Sequence, residues 1–214
     1  MPWHAQLDLH YRRDQQRTVL QHRHTGPLRI FKSLYPEGDG ICHNVIIHPP
    51  GGLVGGDVLE VNVRAGEQSH GLLATPGATR FYRSEGPATE QRVTLTLDKG
   101  ARLEWLPLEA IAYPGCLALN HLTATLAENA EMIGWDVCAL GLPNANQPFD
   151  RGSLTQRHYR VGWHGRRAEF PCGSQVGSVV VTAAGGDQPA PRRDLAQDLS
   201  ILASVLAIID LHSG

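Results

Sequence analysis

Short segments in which apolar and polar residues alternate recur along the chain and predict β-strands. Four of them are clear: Leu59, Val61 and Val63; Val93, Leu95 and Leu97; Ile133, Trp135 and Val137; and Tyr159, Val161 and Trp163. A period of two places successive side chains on opposite faces, which is typical of strands with one buried side. The apolar residues of each segment are expected to face the core.

Turn-forming sequences separate these segments. Gly, Pro and Asn mark turns at residues 36–40, 49–52, 65–66, 99–100, 114–115 and 143–146. This spacing predicts a mainly β protein, as a sandwich, a barrel or a β-solenoid, rather than alternating strands and helices. Because no repeat of fixed period is visible, the pattern does not single out the solenoid.

One helix is predicted, near the end of the sequence. Between about residues 193 and 211, apolar residues recur at helical spacing: Leu195, Leu199, Leu202, Leu206 and Ile209. They form an apolar stripe on one helix face. Residues 185–191 are rich in Gly and Pro and predict a linker before it. We expect the helix to pack on the sheets; an exposed helix that binds a partner is the alternative.

Composition narrows the class of protein. The chain has 214 residues, with 19 Lys and Arg against 21 Asp and Glu, a net charge of -2. This balance lacks the basic field typical of nucleic-acid-binding proteins. We expect no secretory signal, because no charged segment followed by an apolar run is readable at the N-terminus. No apolar stretch is long enough to predict a membrane span. The four cysteines form no CxxC pair, which argues against structural zinc, and we expect a cytoplasmic protein with reduced thiols.

The most distinctive segment is a glycine-rich loop at residues 48–57, with the sequence HPPGGLVGGD. A P-loop would continue with Lys and Ser or Thr, which reach phosphates and magnesium, and neither follows here. A strand rather than a helix is predicted from Val58, so the dinucleotide-binding pattern fails as well. We expect a structural and interaction element in which some glycines have positive φ. If Gly55 is one of them, Gly55→Ala should lower the stability of the protein.

Possible metal ligands precede and enter this loop. Cys42, His43 and His48 are thiol and imidazole groups that suit nickel, zinc or copper. On a strand Cys42 and His48 share one face and His43 lies on the other, so this segment alone does not predict a closed metal site. His22 and His24 also share a face, and a solvated strand is the simpler interpretation.

Other residues that could catalyse a reaction or bind an anion form less specific patterns. No Gly-x-Ser-x-Gly elbow is present. Glu104 and Glu109 flank an aromatic segment, as the carboxylates of a glycosidase do, but a sequence does not give their separation. Residues 75–84, TPGATRFYRS, combine two arginines with two aromatics. They predict either an anion clamp or a β-turn followed by an exposed strand edge.

Several blocks in this order resemble the urease accessory protein D family (UreD, also called UreH). They are GPLR at 26–29, KSLYPEG at 32–38, CH at 42–43, the loop at 48–57, TPGATRFYRS at 75–84, LEWLP at 103–107 with Glu109, GW at 134–135 and LG at 140–141. Together they cover about residues 5–167. Leu108 stands where this family usually has Gln.

The resemblance implies a maturation factor that is not an enzyme. Such proteins bind urease apoprotein with accessory proteins F and G, the latter a GTPase, and assist nickel insertion. The implied fold is mainly β, with stacked sheets of right-handed β-helical character and a pair of helices. Nickel transit through an internal channel implies transient ligands and no tightly bound cofactor. The candidates are Cys42, His43, His48, Asp57, Glu104 and Glu109.

The resemblance also divides the chain. Residues 1–167 form the expected UreD-like β domain, and residues 168–214 a divergent C-terminal segment with the linker and the short helix. Two alternatives to a functional scaffold stay open. The divergent tail leaves a degenerate copy without function, and the glycine-rich loop leaves an enzyme of unknown chemistry with its site there.

Overall fold

The computed structural model describes residues 2–161, 178–183 and 208–210, which form sixteen strands and one short 3-10 helix. The strands are β1 His4–Asp14, β2 Arg17–Thr25, β3 Arg29–Ile30, β4 Ile41–Ile47, β5 Val58–Ala65, β6 His70–Ala74, β7 Thr79–Phe81, β8 Thr89–Leu97, β9 Arg102–Leu106, β10 Ala110–Ala112, β11 Leu117–Leu126, β12 Glu131–Gly134, β13 Cys138–Leu140, β14 Gly152–Val161, β15 Ser178–Ala183 and β16 Ile208–Asp210. The 3-10 helix is Pro143–Ala145. None of the described helices is long and apolar enough to cross a membrane.

The strands form three sheets. Sheet I has the order β15-β14-β11-β8-β5-β1-β2, sheet II has β16-β12-β9-β6-β4-β3, and sheet III has β13-β10-β7. The chain contributes a strand to sheet I, then to sheet II, then to sheet III, and repeats this order; each such round is called a coil. Strands of successive coils in the same sheet pair in parallel. Each coil thus adds one strand to each sheet, which makes a β-solenoid. The mainly β fold with stacked sheets is confirmed, and the solenoid is the correct choice among the three predicted architectures.

The coils differ in length, which explains why no repeat is visible in the sequence. In sheet I, Val58 pairs with Glu90, Thr89 with Ala118, and Leu117 with Ser153, which are separations of 32, 29 and 36 residues. The longest coil contains the 3-10 helix. Apart from Ala65, the last residue of β5, the predicted turn sequences fall between strands, so the length differences lie in the turns.

The alternation predicted for β5 and β8 is confirmed. Leu59, Val61 and Val63 are at most 5% exposed, and the inward residues of β8 are similarly buried. Val61 pairs with Val93, so apolar side chains of successive coils stack in rows. Burying a side chain of this size contributes about 1.5–3 kcal/mol, and these rows form the core.

The prediction that Ile133, Trp135 and Val137 face the core is wrong. Ile133 and Trp135 are 39% and 37% exposed, whereas Met132 and Asp136 point inward. Gly134 explains the choice, because a Cβ there would lie 3.2 Å from Trp105. The interior beside position 134 therefore has no room for a large side chain, and Ile133 and Trp135 lie on the outer face.

The same reversal occurs on β14. Tyr159 is 38% exposed, while Leu154, Gln156 and His158 are the buried residues. The buried polar side chains are accommodated by the interior cluster described below. The side chain of Val161, and all of Trp163, lie outside the described residues.

A hydrogen-bonded network joins the β1–β2 hairpin to the first coil. The Tyr11 hydroxyl donates to Asn44 Oδ1 at 3.0 Å, and the Tyr35 hydroxyl donates to the Thr18 carbonyl at 3.0 Å. Burial raises the pKa of Tyr11 well above its ordinary value, so its hydroxyl remains a donor. The Tyr11 ring lies over Gly71, which leaves room for it.

The helix predicted for residues 193–211 falls mostly outside the described residues, as does the linker at 185–191. Where its last residues are described, the prediction is wrong: Ile208–Asp210 is a strand that pairs antiparallel with β12. The edge of sheet II offers unpaired backbone groups, and extended pairing satisfies them. Ile209, expected on the helix stripe, pairs with Ile133.

We expect Gly71→Ala to lower the free energy of unfolding by about 1–3 kcal/mol, because overpacking forces the neighbours to shift. A Cβ at Gly71 would lie 2.7 Å from the Tyr11 ring. Gly77→Ala is the matched control, since no atom lies within 4 Å of its Cβ. Urea denaturation measures both, and equal stability of the two variants would contradict the packing described.

Candidate functional site

Two segments singled out from the sequence meet in the structure. The loop at 48–57 connects β4 to β5, and residues 75–84 contain β7. The Leu53 N–H donates to the Arg80 carbonyl at 2.8 Å, and the Tyr82 N–H donates to the Leu53 carbonyl at 2.9 Å. Leu53 thus adds one residue of parallel pairing to sheet III and is fully buried. The glycine-rich loop belongs to the sheet framework.

Backbone shape and close packing both require glycine in this loop. Gly51 and Gly56 have φ of +72° and +85°. At Gly52 and Gly55 a Cβ would overlap side chains of residues 75–84. Positive φ at some glycines is confirmed, but Gly55 is restricted by space and not by φ.

Asp57 fixes the end of the loop. One carboxylate oxygen accepts the Trp3 N–H at 2.8 Å, and the other accepts the Val54 N–H at 2.9 Å. The residue is buried. Both oxygens thus make structural hydrogen bonds.

A cavity of about 190 Å³ lies between the loop, the turn at 75–78 and the interior faces of the sheets. Its polar lining consists of His48, Thr75, Thr79, Arg80 and Gln91. Apolar side chains, including Trp105, form the rest. Arg80 also donates to the Gly51 carbonyl at 3.3 Å, so its guanidinium supports the loop. Of the two interpretations of residues 75–84, this arrangement matches a turn followed by a strand, although that strand is covered by Leu53.

His48 is the candidate ligand that lines the cavity. Burial lowers its pKa, and the nearby Asp57 carboxylate opposes this only in part. The imidazole is therefore neutral at pH 7 and keeps a nitrogen lone pair. A neutral imidazole is the form that binds transition metals.

Cys42 and His43 lie on opposite sides of β4, as predicted. Cys42 is buried, and its Sγ lies 3.4 Å from Asn44 Oδ1 in the network beneath the hairpin. His43 lies on the other side of β4 and is largely covered, with its Nε2 2.9 Å from Glu37 Oε1. Neither residue lines the cavity around His48.

The two candidate glutamates lie on different elements. Glu104 is on the outer face of β9, with its carboxylate 2.9 Å from His70 Nε2. Glu109 is exposed just before β10. Within the described part of the chain, no group of three or more His, Cys, Asp or Glu side chains is arranged to hold a metal ion.

A buried polar cluster was missed by sequence reasoning. Asp136 Oδ2 accepts the Asn120 side-chain N–H at 2.7 Å and lies 3.1 Å from His158 Nε2. Because a carboxylate only accepts, Nε2 of His158 carries the proton. Gln91 donates to Asn120 Oδ1 at 3.2 Å. Gln91 also lines the cavity, so a row of polar groups leads from the cavity to His158.

This cluster has unused hydrogen-bonding capacity. Gln156 pairs in register with Asn120, and its buried Nε2 has no hydrogen-bond partner among the described residues. The same holds for the Thr89 hydroxyl. The sequence signal was the polar residues at alternate positions of β14, which were assigned to the solvent face because Tyr159 and Val161 were assigned to the core.

The chain is similar in sequence to known proteins over most of the part that the structure describes. The model of the family described as UreD urease accessory protein matches residues 4–166. A protein named urease accessory protein UreD from Variovorax paradoxus (strain S110) is 65% identical over 156 residues, which are 73% of this chain and 56% of that protein. One of the same name from Paracidovorax citrulli (strain AAC00-1) is 48% identical over 226 aligned residues, covering 100% of this chain and 80% of that protein.

These matches place the chain among urease accessory proteins. The chain belongs to the UreD family. The matched segment spans little more than half the length of the first curated relatives, 56% for those from Variovorax paradoxus and Polaromonas sp. (strain JS666 / ATCC BAA-500).

We expect Asp57→Ala to cost about 2–3 kcal/mol of stability, because two N–H groups lose a charged acceptor. Asp57→Asn keeps one acceptor oxygen and should lie between this variant and the wild type. Asp150→Ala, at an exposed position, is the control. Chemical denaturation measures the series, and a neutral Asp57→Ala would show that the loop does not depend on the carboxylate.

The lowered pKa of His48 predicts a pH dependence of stability. Protons bind this imidazole more readily in the unfolded chain, so stability is fully present above pH 6.5 and falls as the pH drops toward the folded-state pKa. Between pH 7.5 and pH 5.5, the range in which histidine titrates, the free energy of unfolding of His48→Gln should fall less than that of the wild type. His22→Gln, at an exposed position, should behave as the wild type. Parallel curves for all three proteins would contradict the prediction.

Proposed function

We propose that this chain is a chaperone-type scaffold for urease maturation. It binds urease apoprotein together with accessory proteins F and G, assists nickel insertion in the cytoplasm, and catalyses no reaction itself. The observation that carries this proposal is the family match across residues 4–166, which covers strands β1 to β14. Relatives that share 65% and 64% identity are named urease accessory proteins, which supports a role in the same process.

We further propose that nickel, as cargo, passes along the polar row in the solenoid interior. The row runs from His48 through Gln91 and Asn120 to Asp136 and His158. Nitrogen and oxygen donors suit nickel, and an incomplete ligand set lets the ion leave. The unpartnered Gln156 amide supports this proposal, because buried polar groups without partners favour a polar guest.

Only one of the six sequence candidates, His48, lies on this proposed row. Asp57 holds the loop, and Cys42 belongs to the network beneath the hairpin. His43, Glu104 and Glu109 are on or near the outer surface. Any part that these five play in nickel transfer would be at another step.

The scaffold proposal predicts capture of partners. The tagged chain is co-expressed with urease apoprotein and accessory proteins F and G, and pulled-down proteins and urease nickel content are measured. We expect urease and accessory protein F to co-purify, and urease nickel to exceed that of cells lacking the chain. Absence of both partners from the pull-down would contradict the proposal.

The transit proposal is tested separately with His48→Ala and His158→Ala. Each variant should lower urease nickel content while partner capture stays unchanged. His4→Ala removes an imidazole from the outer surface and is the matched control. Equilibrium dialysis against nickel should show weak binding, and a single site of sub-nanomolar affinity would indicate storage instead of transit.

A further inference from the structure

The outer strand of the β1–β2 hairpin forms one edge of sheet I. Within the ranges that the structure describes, β2 pairs with β1 and with no other strand. From Gln21 to Thr25 every residue is exposed, so both faces of this part of the strand meet solvent. An edge strand of this kind offers unpaired backbone groups to another chain.

The hairpin register shows which backbone groups are available. Asp14 and Arg17 form the pair next to the two-residue turn, so odd residues of β2 bond to β1. Even residues point the other way, as the Thr18 N–H shows by donating to the Asp39 carbonyl at 2.9 Å. By the same alternation, His22 and His24 direct their N–H and C=O groups away from the sheet.

The hairpin is also a basic segment of a slightly acidic chain. Residues 10–25 contain four arginines, one aspartate and no lysine or glutamate, whereas the whole chain has a net charge of -2. Arg23 forms no ion pair among the described residues. Its cross-strand neighbour Asp8 instead accepts hydrogen bonds from Gln6 and Asn62. The guanidinium of Arg23 is therefore free to meet an external carboxylate.

We propose that the free edge of β2 docks an extended acidic segment of a partner protein by β-strand addition. Backbone hydrogen bonds to His22 and His24 align the added strand, and Arg23, whose side chain lies on the opposite face of β2 from the two imidazoles, selects acidic side chains. A second copy of this chain is disfavoured, because it would place like-charged residues opposite one another. A nucleic acid would meet the charge but lacks a backbone that can pair with the edge.

The test uses the full chain and three fluorescent octapeptides. One alternates Glu and Val, one alternates Lys and Val, and one is the Glu-Val peptide N-methylated at alternate residues. Fluorescence anisotropy should show that the first binds about tenfold or more tightly than the other two, because only it offers both carboxylates and a full set of N–H donors. Equal binding of the N-methylated peptide, or of the Lys-Val peptide, would overturn the proposal.

Variants of the edge sharpen the result. His22→Pro removes an outward N–H, and Pro is tolerated on the solvent side of an edge strand. Arg23→Glu reverses the charge. Each should weaken Glu-Val binding about tenfold, while Arg151→Glu, an exposed site beside β14 at the far side of sheet I, should not. Circular dichroism confirms that each variant is folded.

Two further outcomes would also overturn the proposal. One is tighter binding of single-stranded oligodeoxythymidine than of the Glu-Val peptide, with the same loss in Arg23→Glu. The other is a concentration-dependent dimer in analytical ultracentrifugation that His22→Pro abolishes. Unchanged Glu-Val affinity in both His22→Pro and Arg23→Glu would place any binding elsewhere.

Discussion

Parallel pairing in fixed register makes every coil bury the same side of its strands. The row Leu7, Val61, Val93 and Leu122 crosses four neighbouring strands, and each member is almost fully buried. A slip of one residue would turn all the side chains of a strand to the other face, so burial of these rows holds the register. The three sheets, the loop positions and the cavity all follow from that register.

The interior changes character along the solenoid. In sheet I the row that begins at Leu7 ends at His158, and the neighbouring row continues from Leu59 to Gln91, Asn120 and Gln156. Along these two rows the early coils bury hydrocarbon, whereas the later coils bury amides and an imidazole, and the Asp136 carboxylate lies beside them. Buried polar groups are costly unless they are paired, and Asp136 pairs with two of them. Such a polar interior is hard to explain by stability alone.

The strands and turns could be predicted because period and turn chemistry are local. The solenoid could not, because coils of unequal length conceal the repeat. Ile133, Trp135 and Tyr159 were assigned to the wrong face, since the rule that apolar residues are buried fails where a glycine leaves no space or where polar groups satisfy one another inside. The meeting of Leu53 with Arg80 and of Asp136 with His158 depends on contacts between coils, which no local pattern encodes.

The hydrogen-bonded network at the hairpin determines where in the solenoid unfolding begins. In a solenoid each coil touches only its neighbours, so cooperativity is passed along a line instead of through one shared centre. Tyr11, Asn44 and Tyr35 fasten the first coil to the hairpin with hydrogen bonds that run across coils. Partial unfolding should then begin in the coils far from the hairpin and advance toward the hairpin one coil at a time.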